Sequence, residues 1–118
     1  MRRHLALGAY GEDVAAAHLQ RAGLVILDRN WRCDVGEIDI VARDGATLVI
    51  CEVKTRSSMA YGHPAEAVSP RKVRRLRQLA TRWLIAHEVH APQLRIDVVT
   101  VVQRAAGAPT IEHLRQVC

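Results

Sequence analysis

Phenylalanine is absent from this chain, and aromatic residues of all kinds make up only 3% of it. The core must therefore be built from aliphatic and alanine side chains. No apolar run approaches the ~20 residues that a membrane-spanning helix needs, so no membrane association is expected. Met1-Arg2-Arg3 is basic, but the stretch from Leu5 to Val14 contains Gly, Tyr, Glu and Asp and lacks the apolar centre of a secretion signal. Cysteine occurs three times, at Cys33, Cys51 and Cys118, an odd number with no C-x-x-C spacing. That usage argues against a zinc site and for a reducing compartment, so a cytoplasmic location is expected. Repeats, low-complexity blocks and domain linkers are missing too.

What is present describes one domain. A chain of 118 residues and 13.1 kDa is long enough to bury a core without disulfides. Its organisation is read as a single unit over residues 1–118, with a core at about 5–102 and a C-terminal extension at 103–118. Seventeen basic residues against twelve acidic ones give a net charge of +5 and a pI near 9.7. This balance suits a polyanionic partner. Arginine greatly outnumbers lysine, which fits bidentate phosphate contacts and also follows from GC-rich coding.

The chain is organised around the stretch from Gly36 to Arg56. Gly36-Glu37-Ile38-Asp39-Ile40 leads to Asp44-Gly45, and Leu48-Val49-Ile50-Cys51-Glu52-Val53-Lys54 returns. An Asp-Gly pair between two apolar runs signals a β-hairpin. With Asp44 and Gly45 as the loop, Arg43 faces Ala46 and Asp39 faces Ile50. Strand alternation then sets Asp39, Glu52 and Lys54 on one face, with Glu37 beside them. A register shift by two keeps that face; a shift by one destroys it.

Two carboxylates and an ammonium on one patch suit a hard divalent cation, which takes carboxylate oxygens, waters and substrate phosphates. Such a cation polarises a phosphoryl oxygen and activates a bound water, and the lysine orients that water or offsets developing charge. The plain alternative is a cross-strand salt bridge of Lys54 with Glu52 or Glu37. A lone Glu-x-Lys favours that alternative; the Asp preceding it across a turn shifts the balance.

The remaining elements follow from pattern. Leu5 to Ala22 reads as a helix ended by Gly23, with a stripe of Leu5, Gly8, Glu12, Ala15, Ala16 and Leu19. Glu12 interrupts that small apolar face, and Gly8 and Gly11 permit close backbone approach. Leu24 to Asp28 is a first strand, followed by a turn at Arg29-Asn30-Trp31-Arg32. Trp31 there is read as half-buried packing rather than a stacking platform for a base. Ser57 to Ser69 is irregular and well placed to clamp a substrate; His63 within it has no partner at a defined spacing and is given no role. Ser69-Pro70 starts a helix running to about His90. Arg71, Lys72, Arg74, Arg75, Arg77 and Arg82 crowd its first half, where cations oppose the helix dipole, and beside a phosphodiester site this charge is read as phosphate-contacting. Leu94 to Val102 is a central or well-covered strand with Arg95 and Asp97 on one face, where a mutual or neighbouring salt bridge is expected, and Thr110 to Cys118 is a short edge strand or frayed tail. The order is αβββαβ, and the crossover helix makes the fourth strand parallel to the third.

Asp39 with Glu52-Val53-Lys54 resembles the signature of PD-(D/E)XK nucleases, although Ile38 stands where the superfamily name has Pro. More narrowly, Gly8-Ala9-Tyr10-Gly11-Glu12, Arg29-Asn30, Gly36-Glu37-Ile38-Asp39, Glu52-Val53-Lys54-Thr55-Arg56, Gly62-His63-Pro64 and Arg95-Ile96-Asp97-Val98 resemble the YraN-like family of small bacterial proteins, related to archaeal Holliday-junction resolvases. The resemblance covers about Gly8 to Val98. It implies a restriction-endonuclease-like α/β sandwich with a mixed sheet flanked by helices. It also implies a Mg²⁺- or Mn²⁺-dependent nuclease acting on DNA, branched or damaged DNA included. Asp39 and Glu52 would hold the metal, Lys54 would assist the water, and Glu12 would complete the acidic cluster. Arg29, Arg32, Arg56, Lys72, Arg74 and Arg75 would contact nucleic acid, and a homodimer follows by analogy. A non-catalytic nucleic-acid-binding module and a protein–protein adaptor are the competing expectations.

Overall fold

The structure, a computed structural model, describes residues 3–57, 68–104 and 106–117, with side chains from residue 8 onward. Residues 58–67 of the clamp segment, His63 among them, lie outside the described residues.

Two helices sandwich one five-stranded sheet. Helix α1 (Arg3–Arg21) precedes β1 (Val25–Cys33), β2 (Gly36–Asp44) and β3 (Thr47–Arg56); α2 (Pro70–His87) crosses to β4 (Gln93–Val102), and β5 (Thr110–Leu114) closes the chain. The strands lie in sequence order, β1-β2-β3-β4-β5. All neighbours are antiparallel except β3 and β4, which run parallel as the helical crossover requires. The C-terminal stretch is thus an edge strand.

Each helix buries an apolar stripe on its own side of the sheet, aliphatic throughout in α1 and joined by the buried Trp83 in α2. Ala15, Ala16 and Leu19 of α1 pack on Ile40, Ala42, Val49, Cys51, Val99 and Val101. On the other face, Val73, Leu76, Leu79, Ala80 and Trp83 of α2 pack on Val41, Leu48, Ile50 and Ile96. Each large side chain so buried contributes about 1.5–3 kcal/mol. Ser69 caps α2 by accepting from the Lys72 backbone N–H at 3.1 Å, and Pro70 occupies the first turn. The helix stops at His87 rather than near His90, because Glu88 turns left-handed (φ 53°).

Three local expectations are corrected. The hairpin loop is Gly45-Ala46, closed by Asp44 opposite Thr47, so Val41 rather than Asp39 faces Ile50. Gly45, at φ 61°, supplies the positive torsion that the first loop position needs. The shift is by two residues, so the pairing parity is retained. The Arg29–Arg32 segment is strand, not turn, since β1 pairs with β2 as far as Cys33 and Gly36. Its polar composition reflects a sheet edge, with a register irregularity between Ile26 and Asp28. Trp31 there is half-buried against the α2 layer, as expected. Lastly, Gly8 has open space where a Cβ would go, whereas a Cβ at Gly11 would lie 2.0 Å from Thr55 Oγ1. Only Gly11 marks a close approach of α1 to β3. Rotating the threonine would move Oγ1 but leave its Cβ at 3.1 Å from the same point, so the relief is only partial. Gly11→Ala is therefore expected to lower stability by about 1–2 kcal/mol in chemical denaturation, overpacking outweighing the better helix propensity.

Asp97 carries the expected ion pair and more. It is wholly buried and accepts from Arg95 at 2.9 and 3.0 Å, from His113 Nε2 at 2.8 Å and from the Gln116 N–H at 3.0 Å. Burial works against its charge, but these donors outweigh it and hold its pKa below the usual value. His113 in turn meets His18 of α1 at 3.1 Å, which ties β4, β5 and α1 together.

Candidate functional site

The sheet forks at its centre. The β2–β3 ladder ends at Ile40 opposite Cys51, while β2 stays with β1 to Gly36 and β3 stays with β4 to Arg56. At the fork the Asp39 carboxylate replaces the missing backbone partner, accepting from the Val53 N–H at 2.8 Å. The alternation of faces reverses there: Ile40 packs in the α1 layer and Ile38 in the α2 layer. Asn30, the β1 residue between the Ile40 and Ile38 partners, takes a positive φ of 54°, so both strands bend together.

A cavity of about 310 Å³ opens beside the fork, lined by Gly36, Glu37, Asp39, Glu52, Val53, Lys54, Lys72, Arg75, Leu76 and Leu79. Leu76 and Leu79 form its apolar floor, and the charged groups converge above them. Asp39, Glu52 and Lys54 are thus brought together, although by a fork rather than by simple alternation.

Glu52 is almost fully buried and lies 3.3 Å from the Lys54 ammonium and 2.9 Å from that of Lys72. Burial raises its pKa, but the two lysines prevail and the net shift is downward. Asp39 behaves oppositely. Burial pushes it up to about 7 against the Val53 N–H, and the Glu52 and Glu12 charges with a hydrogen bond to Glu52 add to the rise. One carboxylate is therefore held ionised by two ammoniums, and its neighbour keeps a proton near neutral pH.

Glu12, three-quarters or more covered on α1, acts on Asp39 only through its charge and lies 3.9 Å from Arg29. Arg29 also binds Asp13 at 2.8 Å, and Arg32 binds Glu37 at 2.6 Å. Arg56 donates to the Thr55 carbonyl at 3.2 Å. Arg75 lines the cavity and Arg74 is exposed beside it on α2. Among the described residues, no three His, Cys, Asp or Glu side chains are grouped to hold a metal ion. The donor set is the pair Asp39 and Glu52. Two carboxylates lining one cavity offer oxygen ligands to a divalent cation, with waters and phosphate oxygens completing its shell, so the residues fit such an ion.

Lys72, expected from the sequence to contact nucleic acid, also binds Glu52, a contact not among those expectations. Two signals point to it. A parallel crossover returns the chain from the C-terminal end of β3, which sets the N-terminus of α2 over Glu52. Lys72 also sits in the first turn of α2, where a cation is unfavourable without an acidic partner.

Comparison with known proteins bears out the narrower resemblance, that to the YraN-like family. A family model described as "Uncharacterised protein family UPF0102" matches residues 11–101. A UPF0102 protein of Beutenbergia cavernae is 59% identical over 117 residues, covering 99% of both chains. One from an Arthrobacter species (strain FB24) is 56% identical over 117 residues, again 99% of both, and one from Frankia alni is 56% identical over 116 residues, 98% of this chain and 96% of its own. No helix among the described residues is long and apolar enough to cross a membrane.

Proposed function

The chain belongs to the UPF0102 family, and we propose that it is a divalent-cation-dependent nuclease that hydrolyses DNA phosphodiester bonds. The observation carrying this reading is the fork: two carboxylates from adjacent strands face one cavity beside two ammoniums, open to a strongly basic helix. The αβββαβ order of the first six elements, with a parallel β3–β4 pair, agrees with the restriction-endonuclease-like sandwich of the PD-(D/E)XK superfamily.

Asp39 and Glu52 would hold Mg²⁺ or Mn²⁺, which when bound supplies Lewis-acid polarisation of the phosphoryl oxygen and a more acidic water. The Val53 N–H fixes the Asp39 carboxylate, so its orientation is set before any ion arrives. Lys54, on the same strand as Glu52, orients the attacking water and offsets charge growing on the phosphate. Glu12 deepens the negative potential around Asp39. Lys72, Arg74 and Arg75 take backbone phosphates along α2, while Arg29 and Arg32 are engaged by acids of their own chain.

Cleavage of linear, nicked, flapped and four-way DNA with Mg²⁺ or Mn²⁺ tests the reading; activity abolished by a chelator is expected, with branched DNA the first substrate to try. Binding is expected to weaken with salt, with a log–log slope of about −3 if Lys72, Arg74 and Arg75 each neutralise one phosphate. One observation favours a second reading, a nucleic-acid-binding module without catalysis: Glu52 and Asp39 are already satisfied by lysines and a proton. Salt-sensitive binding without cleavage under any divalent cation would select it. Binding that is absent or indifferent to salt would favour a protein–protein adaptor instead. Sedimentation of the purified protein tests the homodimer.

A further inference from the structure

Fifteen of the seventeen basic residues of the chain are arginine; its two lysines are Lys54 and Lys72. They come from different elements, β3 and α2, yet both ammoniums rest on the same atom, Glu52 Oε2, at 3.3 and 2.9 Å. A coding bias toward arginine accounts for the other fifteen. It does not account for both exceptions meeting at one oxygen.

Arginine would hold a carboxylate more firmly, through two parallel bonds from a planar fork. Lysine offers a compact charge on a flexible stem, with donors that rotate freely, so its contact exchanges readily. Two ammoniums on one carboxylate also leave a local excess of positive charge. An arriving divalent cation meets that excess, and one ammonium must withdraw. Lys54 is carried by a strand paired on to Thr100 and beyond, and its side chain is 26% exposed; Lys72 projects from the helix and is 34% exposed. Lys72 has the freer path. Arg75, one turn along α2, lines the same cavity and gives the direction in which a phosphate would lie.

Building on the nuclease reading above, we propose that Lys72 is a positioning residue that holds Glu52 while the site is without its cation. It releases Glu52 when a divalent cation binds, and its ammonium then turns to a backbone phosphate of the DNA. Lys72 is thus an exchangeable placeholder, whereas Lys54 stays on the strand and serves the water.

Because the chain has only two lysines, amine labelling reads the idea directly. Reductive methylation followed by mass spectrometry reports on the α-amine, Lys54 and Lys72 alone. Saturating Mn²⁺ is expected to speed methylation of Lys72 in the wild type more than that of Lys54, and Glu52→Gln is expected to leave both lysines fast without metal. In calorimetry, Lys72→Met should bind Mn²⁺ about tenfold more tightly than wild type, the lower end of what one nearby like charge does to an ionic equilibrium. Lys72→Arg, which keeps the charge but grips harder, should bind it more weakly. Melting curves of both variants verify folding. Mn²⁺ binding with unchanged Lys72 labelling, or with no gain in Lys72→Met, overturns the placeholder role and leaves the nuclease reading standing. Failure of wild type and Lys72→Met alike to bind Mn²⁺ overturns both.

Discussion

Glu52→Gln is expected to abolish Mn²⁺ binding and DNA cleavage together, whereas Lys54→Ala is expected to keep the metal and lose only rate. The glutamine preserves shape but removes the charge that attracts both the cation and the two lysines. Its amide also sets two ammoniums beside a neutral group, so calorimetry should register no Mn²⁺ heat. Lys54→Ala leaves both carboxylates, and Lys72 still neutralises Glu52 at 2.9 Å. The loss then falls on the transition state, where one electrostatic contact of this kind is worth about 3–4 kcal/mol, or about 10²–10³ in kcat. DNA binding should survive both changes, and Glu52→Gln is expected to tighten it, since one negative charge facing phosphate is gone. If the Lys54–Glu52 contact were only a structural ion pair, each variant would lose a modest amount of stability and leave metal and DNA behaviour unaltered. The two measurements, metal heat and cleavage rate, therefore separate the ligand from the cation that assists it.

How the site could be read from sequence depends on which link is considered. Parity carried the hairpin: the register was off by two, yet Glu52 and Lys54 kept the face that strand alternation assigns. On β2 alternation fails at Asp39, because Ile38 and Ile40 on either side of it pack in opposite layers. The cause is the Asp39 side chain standing in for a backbone partner, a tertiary substitution that no hydrophobic pattern records. The polar run Arg29 to Arg32 concealed half of β1, since an edge strand with one wet face lacks the apolar signal of a buried strand. By contrast Ser69-Pro70 marked the start of α2 chemically, through a cap and a fixed torsion, and that boundary was legible. Arg95 and Asp97 are two apart on one strand and so were visible as a pair. His18 and His113 join the same network from 95 residues apart, a separation that only the folded chain can close.

Asp39→Asn is expected to stabilise the protein at high pH and to remove its response to Mn²⁺. In the folded chain Asp39 titrates at about 7 instead of 3.8, chiefly because it is buried. A carboxyl raised in this way favours the folded state most when protonated; that contribution is fully present below pH ~4 and is lost as pH rises through about 7. The asparagine is neutral at every pH, and its amide oxygen can still accept from the Val53 N–H. Wild type and variant should therefore unfold alike near pH 4. The variant should gain on the wild type between pH ~4 and ~7 and be about 1–3 kcal/mol more stable at pH 8, less than the full shift implies because Asp39 and Glu52 influence each other's titration. Mn²⁺ competes with that same proton, so its stabilisation of the wild type should be small at pH 5 and grow toward pH 8. Asp39→Asn should show no such gain at either pH. Denaturant unfolding at three pH values, with and without Mn²⁺, measures both effects in one series. An asparagine variant destabilised equally across the range would mean that Asp39 is ionised throughout and held by its neighbours. A variant that still gains stability from Mn²⁺ would place the ion elsewhere than at the fork.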